Sequence, residues 1–325
     1  MSTNATTAID FPEKGFIDQY QFYMRRRPSV TLAVQRDVVD PLLIRNTEQD
    51  RAETQIIADT TRAQSNPEKF TTKERLTGLD LLRQLDDGDD LIAEEYAYNE
   101  PPTLENAINM DAVTYGITGT GDQDYGMKSR LFAGYTYTTG EYDVMNAETR
   151  NKAFESGTMT DEEGEHSQGL YEQVRVQPGN TFMHFLTLEA GTPAMLAYVL
   201  HNVLNTHGYG ARETRSGKTI ENSIRALVVA DQPALLSVGE FLEGYDPDPD
   251  HEDIGDALGH YLRAQERANW DVYGDEKVSD VESFPEWFST LQAVSGRERD
   301  DATQILRELL VSDTAAAREN IPELD

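Results

Sequence analysis

The stretch Glu172–Lys218 reads EQVRVQPGNTFMHFLTLEAGTPAMLAYVLHNVLNTHGYGARETRSGK, and its three parts decide the fold. Phe182, His184, Leu186 and Leu188 share one face of a period-two run while Met183 and Phe185 share the other. That predicts a strand covered on both sides, or on one side plus a ligand. Thr192–Pro193 then supply a helix N-cap and first turn, and Gly208 or Gly210 is expected to end the helix. A glycine-basic loop leads into the next strand, TIENSIRALVVA (219–230). Strand, helix, loop and strand in this order suit one half of a βαββαβ sheet whose loop faces an anionic ligand. Around that loop Arg212, Arg215, Lys218 and Arg225 stand among only two acids, Glu213 and Glu221.

This basic island belongs to a very acidic chain. Lys and Arg number 28 against 59 Asp and Glu, a net charge of −31, and the bases are mostly arginine, with 7 lysines to 21 arginines. Charge of this size repels itself in dilute buffer. Apolar residues make up 38% and the acids are spread through periodic segments, which argues against disorder. The composition points to a salt-accumulating halophile whose protein carboxylates hold hydrated cations; an acidic binding protein is the other reading. At 1 M salt the Debye length is about 3 Å, so repulsion between chain and nucleic acid is largely erased. Counterion release also contributes little there. A nucleic-acid partner therefore stays admissible if contact-range hydrogen bonds, stacking and backbone amides hold it.

At 325 residues the chain can bury a large core. The absence of cysteine excludes disulfides, thiolate metal sites and thiol catalysis. Neither a signal segment nor an apolar run of membrane-spanning length is visible, so a soluble cytoplasmic protein with no membrane partner is expected.

Residues 1–46 read as a lead-in and first core strand, with Val30, Leu32 and Val34 alternating. Residues 47–110 read as a helical insertion. Helices are predicted over 47–65 and 71–85, the second from Leu76, Leu79, Leu82 and Leu85 with Thr71 and Glu74 as a capping box, although Gly78 interrupts the stripe. Residues 111–138 read as core strands, 139–172 as a protruding hairpin arm, and 173–239 as the core strand-helix-strand unit. The last part, 240–325, carries 23 acids and 7 bases and is mostly helical.

Several motifs fail on inspection. Ser216-Gly217-Lys218-Thr219 ends like a phosphate-binding loop, but Arg212 occupies the required glycine position and the segment runs from helix to strand. Asp246, Asp248 and Asp250 alternate like a calcium loop, yet His251 and Ala257 replace its glycine and glutamate. No HExxH pair and no GxSxG elbow occur, and His184 reads as a core or sheet-face residue. What remains is a set of basic islands: Arg25–Arg27 with Arg36 and Arg45, Lys128–Ser129–Arg130, Arg150–Asn151–Lys152, and Arg212/Arg215/Lys218. Together they suggest an anion-binding track, since arginine forks and loop amides suit phosphates, with Tyr135, Tyr137 and Tyr209 available for stacking.

The motifs VxPGNTFxHFLTLE, PAMLAYVLHNVLNTHGYGA and RETRSGK resemble the repeat-associated (RAMP) backbone subunits of CRISPR effector complexes, most closely that of the type I-D surveillance complex. SVTLAVQRD (29–37), KERLTGLDLLRQL (73–85), GMKSRLFAGYTY (126–137) and NKAFESGT (151–158) extend the resemblance over roughly residues 29–230. It implies an α+β fold: a modified RRM/ferredoxin-like palm with helical and thumb-hairpin insertions, followed by an acidic, mostly helical C-terminal region. It also implies a chain that polymerises along CRISPR guide RNA beside other effector subunits and meets target DNA through the guide. Gly208, Tyr209, Gly210, Arg212 and Arg215 would form a loop near the RNA backbone, with Lys128 and Arg130 on the same track and residues 139–172 as the thumb. Some relatives carry cysteine-based metal insertions; none carries over here.

DPLLIRN (40–46) resembles the segment where related subunits place a target-cleaving aspartate. Asp40 is therefore a candidate for phosphodiester cleavage with a divalent metal; otherwise no cofactor is expected. The simpler reading is that Asp40–Pro41 ends a strand and turns the chain. Three functions stay open: a non-catalytic guide-RNA-binding subunit, a subunit that also cuts through Asp40, and a halophilic protein-interaction module without nucleic acid.

Overall fold

The computed structural model describes residues 9–18, 20, 27–44, 53–88, 91–98, 100, 103–119, 125–142, 147–151, 170–210, 217–246 and 253–321. Strand β1 (Ser29–Val38) forms where expected and is buried along almost its whole length. Strands β2 (Glu53–Ile57) and β3 (Thr60–Ser65) are an antiparallel hairpin, which corrects the helix expected over 47–65. Its two turn residues, Ala58 and Asp59, both take positive φ (51° and 58°), the backbone twist that matches two paired strands. Threonines and isoleucines flank them, and their branched side chains fit a pleated surface better than a helix.

Helix α1 (Glu68–Leu85) starts before the expected capping box, at Pro67, with no side-chain cap. The Thr71 hydroxyl donates to Pro67 O (3.2 Å) inside the first turn, and Glu74 is buried rather than capping. Short helices α2 (Leu104–Ala107) and α3 (Met110–Tyr115) follow, capped by Thr103 and Asn109. Residues 111–115 are thus helical, not strand: Asn109 Oδ1 accepts from Ala112 N (3.0 Å) and starts a turn that periodicity alone does not reveal. Strands β4 (Ile117–Gly119) and β5 (Tyr125–Met127) pair with each other. Strands β6 (Leu131–Ala133) and β7 (Thr136–Thr138) both pair with β10 (Thr181–Glu189). Strands β8 (Ala147–Asn151) and β9 (Leu170–Val174) pair antiparallel at the base of the expected arm; its residues 152–169 lie outside the described residues.

Helix α4 (Pro193–Asn205) follows β10 and carries its expected cap, with Met195 N donating to Thr192 Oγ1 (3.2 Å). It ends at Asn205, ahead of both glycines, because Thr206 turns extended and bonds back to Asn202 O (2.6 Å). Strand β11 (Ile220–Ala230) returns through the sheet. The C-terminal part contains α5 (Val238–Glu243), α6 (Ile254–Gln265), strand β12 (Trp270–Gly274), β13 (Glu282–Ser283), α7 (Glu286–Ser295) and α8 (Ala302–Asn320).

The main sheet has the order β13-β12-β11-β1-β10-β7-β3-β2, with β6 beside β7 on β10. Its neighbours run antiparallel except β12 and β13. One face (Leu32 and Val34 of β1, Leu186 and Leu188 of β10, Leu227 and Val229 of β11) packs on α1, α3, α4, α7 and α8. The opposite face (Ala33, Met183, Phe185, Ala226 and Val228) is covered by α5 and α6, where Phe185 stacks on Tyr261. The alternation read in β10 therefore holds on both sides. Helix α1 lies against α4, where Gly78 is required: a Cβ there would strike the Tyr198 hydroxyl and the Asn202 amide.

Two stability predictions follow from this packing. Ala58→Gly removes the cost of a left-handed alanine and is expected to stabilise the chain by about 1 kcal/mol in urea titrations, with Ala58→Val destabilising. Burial pushes the His201 imidazole down to about 4, while Nδ1 donates to Ser295 O (3.0 Å). A folded value below the unfolded one, near 6.5, means a stability contribution complete above that pH and lost as pH falls through about 4. The denaturation midpoint should therefore drop across that window less steeply in His201→Gln than in the parent chain. That comparison separates His201 from Asp111 and Asp313, whose carboxyls burial pushes up and which act in the opposite sense.

Candidate nucleic-acid interface

At the C-terminal end of β1 four segments meet. Val39 N donates to Thr219 O (2.9 Å) at the start of β11. Leu42 and Val176 exchange backbone hydrogen bonds (2.8 Å each) below the β8–β9 hairpin. Thr219 N and Ile220 N both donate to His207 O (2.9 and 3.1 Å), and Tyr209 N donates to Thr219 Oγ1 (2.8 Å). The glycine loop is thereby laced to β11. It then leaves through Gly210, whose φ of 89° is a conformation that glycine adopts without strain.

Beneath this junction lies a charged group cut off from water. Arg36 of β1 and Glu74 of α1 form an ion pair of 2.6 Å with both side chains 0% exposed. The same Nη1 donates to Asn222 Oδ1 of β11 (3.0 Å). The Tyr209 hydroxyl donates to Glu74 Oε1 (3.0 Å) and accepts from Asn222 Nδ2 (2.9 Å). The guanidinium also lies 4.6 Å from the centroid of Phe70, a cation–π contact. Burial works against the arginine's charge, but Glu74 beside it holds the guanidinium above its ordinary value. Burial, then Glu74, keeps the Tyr209 phenol protonated well above its usual range.

The expected track divides when placed on this frame. Arg36, Asp40, Gly208, Tyr209, Gly210 and Lys218 gather at the junction. Arg36 and Tyr209 are internal, however, so neither presents its polar group to a ligand. Lys218 is exposed and pairs with Glu221 (2.9 Å). Asp40 is exposed, and among the described residues no three carboxylate or imidazole groups come together that could hold a metal ion. Lys128, Ser129 and Arg130 stand at the opposite end of the sheet, where Glu189 N donates to Arg130 O (2.9 Å) and Glu189 faces Ser29. Arg27 joins them there, paired with Glu189. The length of β1, at about 3.3 Å per residue, separates the two groups, so Lys128 and Arg130 do not share the junction's track within one chain. Arg130 is also buried, donating to Ala190 O (2.8 Å). Arg225 is the extra residue at a bulge in β11 and turns inward to Asp275 (2.7 Å). His184 is a core residue, its Nε2 bonded to Gly134 O (3.0 Å) where β6 breaks from β7. Of the other expected residues, Arg25, Arg26, Arg45, Lys152, Arg212 and Arg215 lie outside the described residues, and Arg150 and Asn151 are placed by backbone alone, in β8.

Sequence reasoning missed a cavity beside the junction. It measures about 410 Å³ and lies between residues 42–44, the first two turns of α1 and Tyr209–Gly210, with Lys69 and Lys73 among its lining. The signal was present: lysine is rare in this chain, and two of the seven lie one helical turn apart.

The comparisons with known proteins give this architecture its class. Its fold is similar to the crystal structure of Thermofilum pendens Csc2, at 14% identity and TM-score 0.59, covering 93% of this chain and 92% of that one. It is also similar to a chain of a CRISPR RNA-guided surveillance complex in a pre-nicking state, at 10% identity and TM-score 0.54, covering 83% of this chain and all of that one. No curated protein sequence matches. At these identities the likeness shows the fold. Residues 43–269 match the Csc2 Crispr family, more than half of the chain, and the chain belongs to that family.

Because Glu74 offsets a buried charge, Glu74→Gln is expected to cost about 3–5 kcal/mol in denaturant titrations. Replacing both partners, Arg36→Met with Glu74→Leu, should recover most of that loss.

Proposed function

We propose that this chain is a guide-RNA-binding backbone subunit of a type I-D CRISPR effector complex. It polymerises along guide RNA beside other effector subunits and supports guide–target base pairing in antiviral interference. The family match over residues 43–269 carries this reading. The strand order β11-β1-β10-β7, with α1 and α4 on one face, supports an RRM/ferredoxin-like palm. The paired β8 and β9 support a thumb hairpin rooted beside the glycine loop.

In this reading the RNA is gripped at the end of the sheet rather than on its face, since α5 and α6 cover the face that an RRM would offer. The protein holds backbone and shape while base pairing reads sequence, as in other RNA-guided complexes. It works without a cofactor of its own. Its charge of −31 fits the cytoplasm of a salt-accumulating halophile, where contact geometry replaces long-range attraction.

The test is purification at molar KCl followed by the ratio of absorbance at nucleic-acid and protein wavelengths. Light scattering with guide RNAs of increasing length should give particle masses that rise in steps of one chain. Arg212→Glu with Arg215→Glu should abolish co-purification. A chain that stays monomeric and free of RNA under these conditions would sink the proposal and favour the protein-interaction reading.

A further inference from the structure

We infer that the groove around Phe132, Tyr135 and Leu235 is a docking surface for a second copy of this chain, which seats Ile56 of its β2–β3 hairpin there and so assembles head to tail without RNA. The inference rests on the polymerising-subunit reading above and deepens it by naming the two surfaces that meet. Among the described residues six large apolar side chains are exposed, and three of them, Phe132 (48%), Tyr135 (51%) and Leu235 (72%), surround one groove of about 440 Å³. Phe185, Thr187 and Glu189 of β10 alternate toward the face that carries α5 and α6, and they line the groove from the sheet. The segment 234–239 leading into α5 lines one side, and β6 with the break before β7 lines the other. Glu189 is the one charged residue of the described lining and is already paired with Arg27. No lysine or arginine lines it, so it is not a phosphate site. Clustered apolar exposure of this kind marks a protein contact.

The complementary feature lies on the other face of the same sheet. Ile56 is 67% exposed and pairs with Thr61 across the hairpin. Ala63, two residues along β3 and therefore on the same face as Thr61, packs with Phe70 of α1. Ile56 thus projects from the α1 side, whereas the groove opens on the α5 side, and the two cannot meet within one chain. A contact between such unlike patches is heterologous and repeats from copy to copy. Charge selects a second copy as the occupant. Copies of charge −31 repel one another, so they can touch only where both surfaces lack unpaired charge. The groove meets that condition, and so does the hairpin face, where Thr54 and Thr61 flank Ile56.

The test is sedimentation equilibrium of the full chain, free of RNA, over a series of KCl concentrations at which circular dichroism shows the fold intact. The association constant should rise with KCl, because screening removes the repulsion between copies while the apolar contact persists. Assembly held by RNA would weaken instead. Leu235→Glu and Ile56→Glu are each expected to lower the constant by about tenfold or more. Both side chains are mostly exposed, so neither change should disturb the fold. An equimolar mixture of the two variants retains one intact groove and one intact hairpin, and it should form dimers and nothing longer. The absence of cysteine supplies a second readout: Ile56→Cys with Leu235→Cys should give a disulfide-linked ladder on oxidation, while Leu235→Cys alone stays monomeric. Dimers from Leu235→Cys alone would mean that groove faces groove, and would overturn the inference. So would a parent chain that is monomeric without RNA at every salt concentration yet grows in steps on guide RNA. If the parent assembles and both glutamate variants assemble equally well, the groove assignment falls and the polymerising reading stands. If the parent stays monomeric with and without guide RNA, both fall.

Discussion

Removing an arginine and a carboxylate from water together costs several kcal/mol per ion before their attraction is counted. Arg36 and Glu74 sustain that cost at zero exposure, and the rest of the junction is arranged around them. Arg36 comes from the first strand, Glu74 from the first helix, Asn222 from the last central strand and Tyr209 from the glycine loop. Only the glycine loop and the strand it leads into are adjacent in sequence. The pair therefore fixes the relative position of strand, helix and loop, because displacing any one of them would leave a buried charge or hydroxyl unpaired. Asn222 extends the constraint by donating to Val203 O and Thr206 O at the end of α4.

The sheet is then committed on both faces. The helices α1, α4, α7 and α8 bury one side and α5 with α6 the other. Among the described residues, the central strands β1, β10 and β11 are thus covered on both faces, and the strand ends and the loops that leave them face outward. The junction offers loop amides, a glycine in a positive-φ conformation and a cavity, all held by hydrogen bonds rather than by long-range charge. That suits a protein of charge −31.

The sheet and its main helix were legible from local pattern. The period-two runs of β1, β10 and β11 and the Thr192–Pro193 start of α4 are readable because each depends on residues a few positions apart. In the region 47–65 the β-branched Thr54, Ile56, Ile57, Thr60 and Thr61 are a strand signal, but one too short to outweigh a helical reading until the two segments pair. Nor was the helix at Met110–Tyr115, whose start depends on one asparagine side chain. The candidate site was legible as a place, the glycine loop after α4. Its members were less so: Arg36 and Arg130, expected on an anion-binding track, turn inward.

Composition and spacing by themselves determined that this chain builds an α+β core without disulfides, and that one of its basic islands follows a glycine loop. Periodicity reports which residues face inward, but not what they meet there. Only the tertiary structure decided that Arg36 pairs with Glu74 across 38 positions of sequence, and that Lys128 and Gly210 lie at opposite ends of the sheet. Both are consequences of antiparallel register, which sets strand ends against one another by pairing partners far apart in the chain.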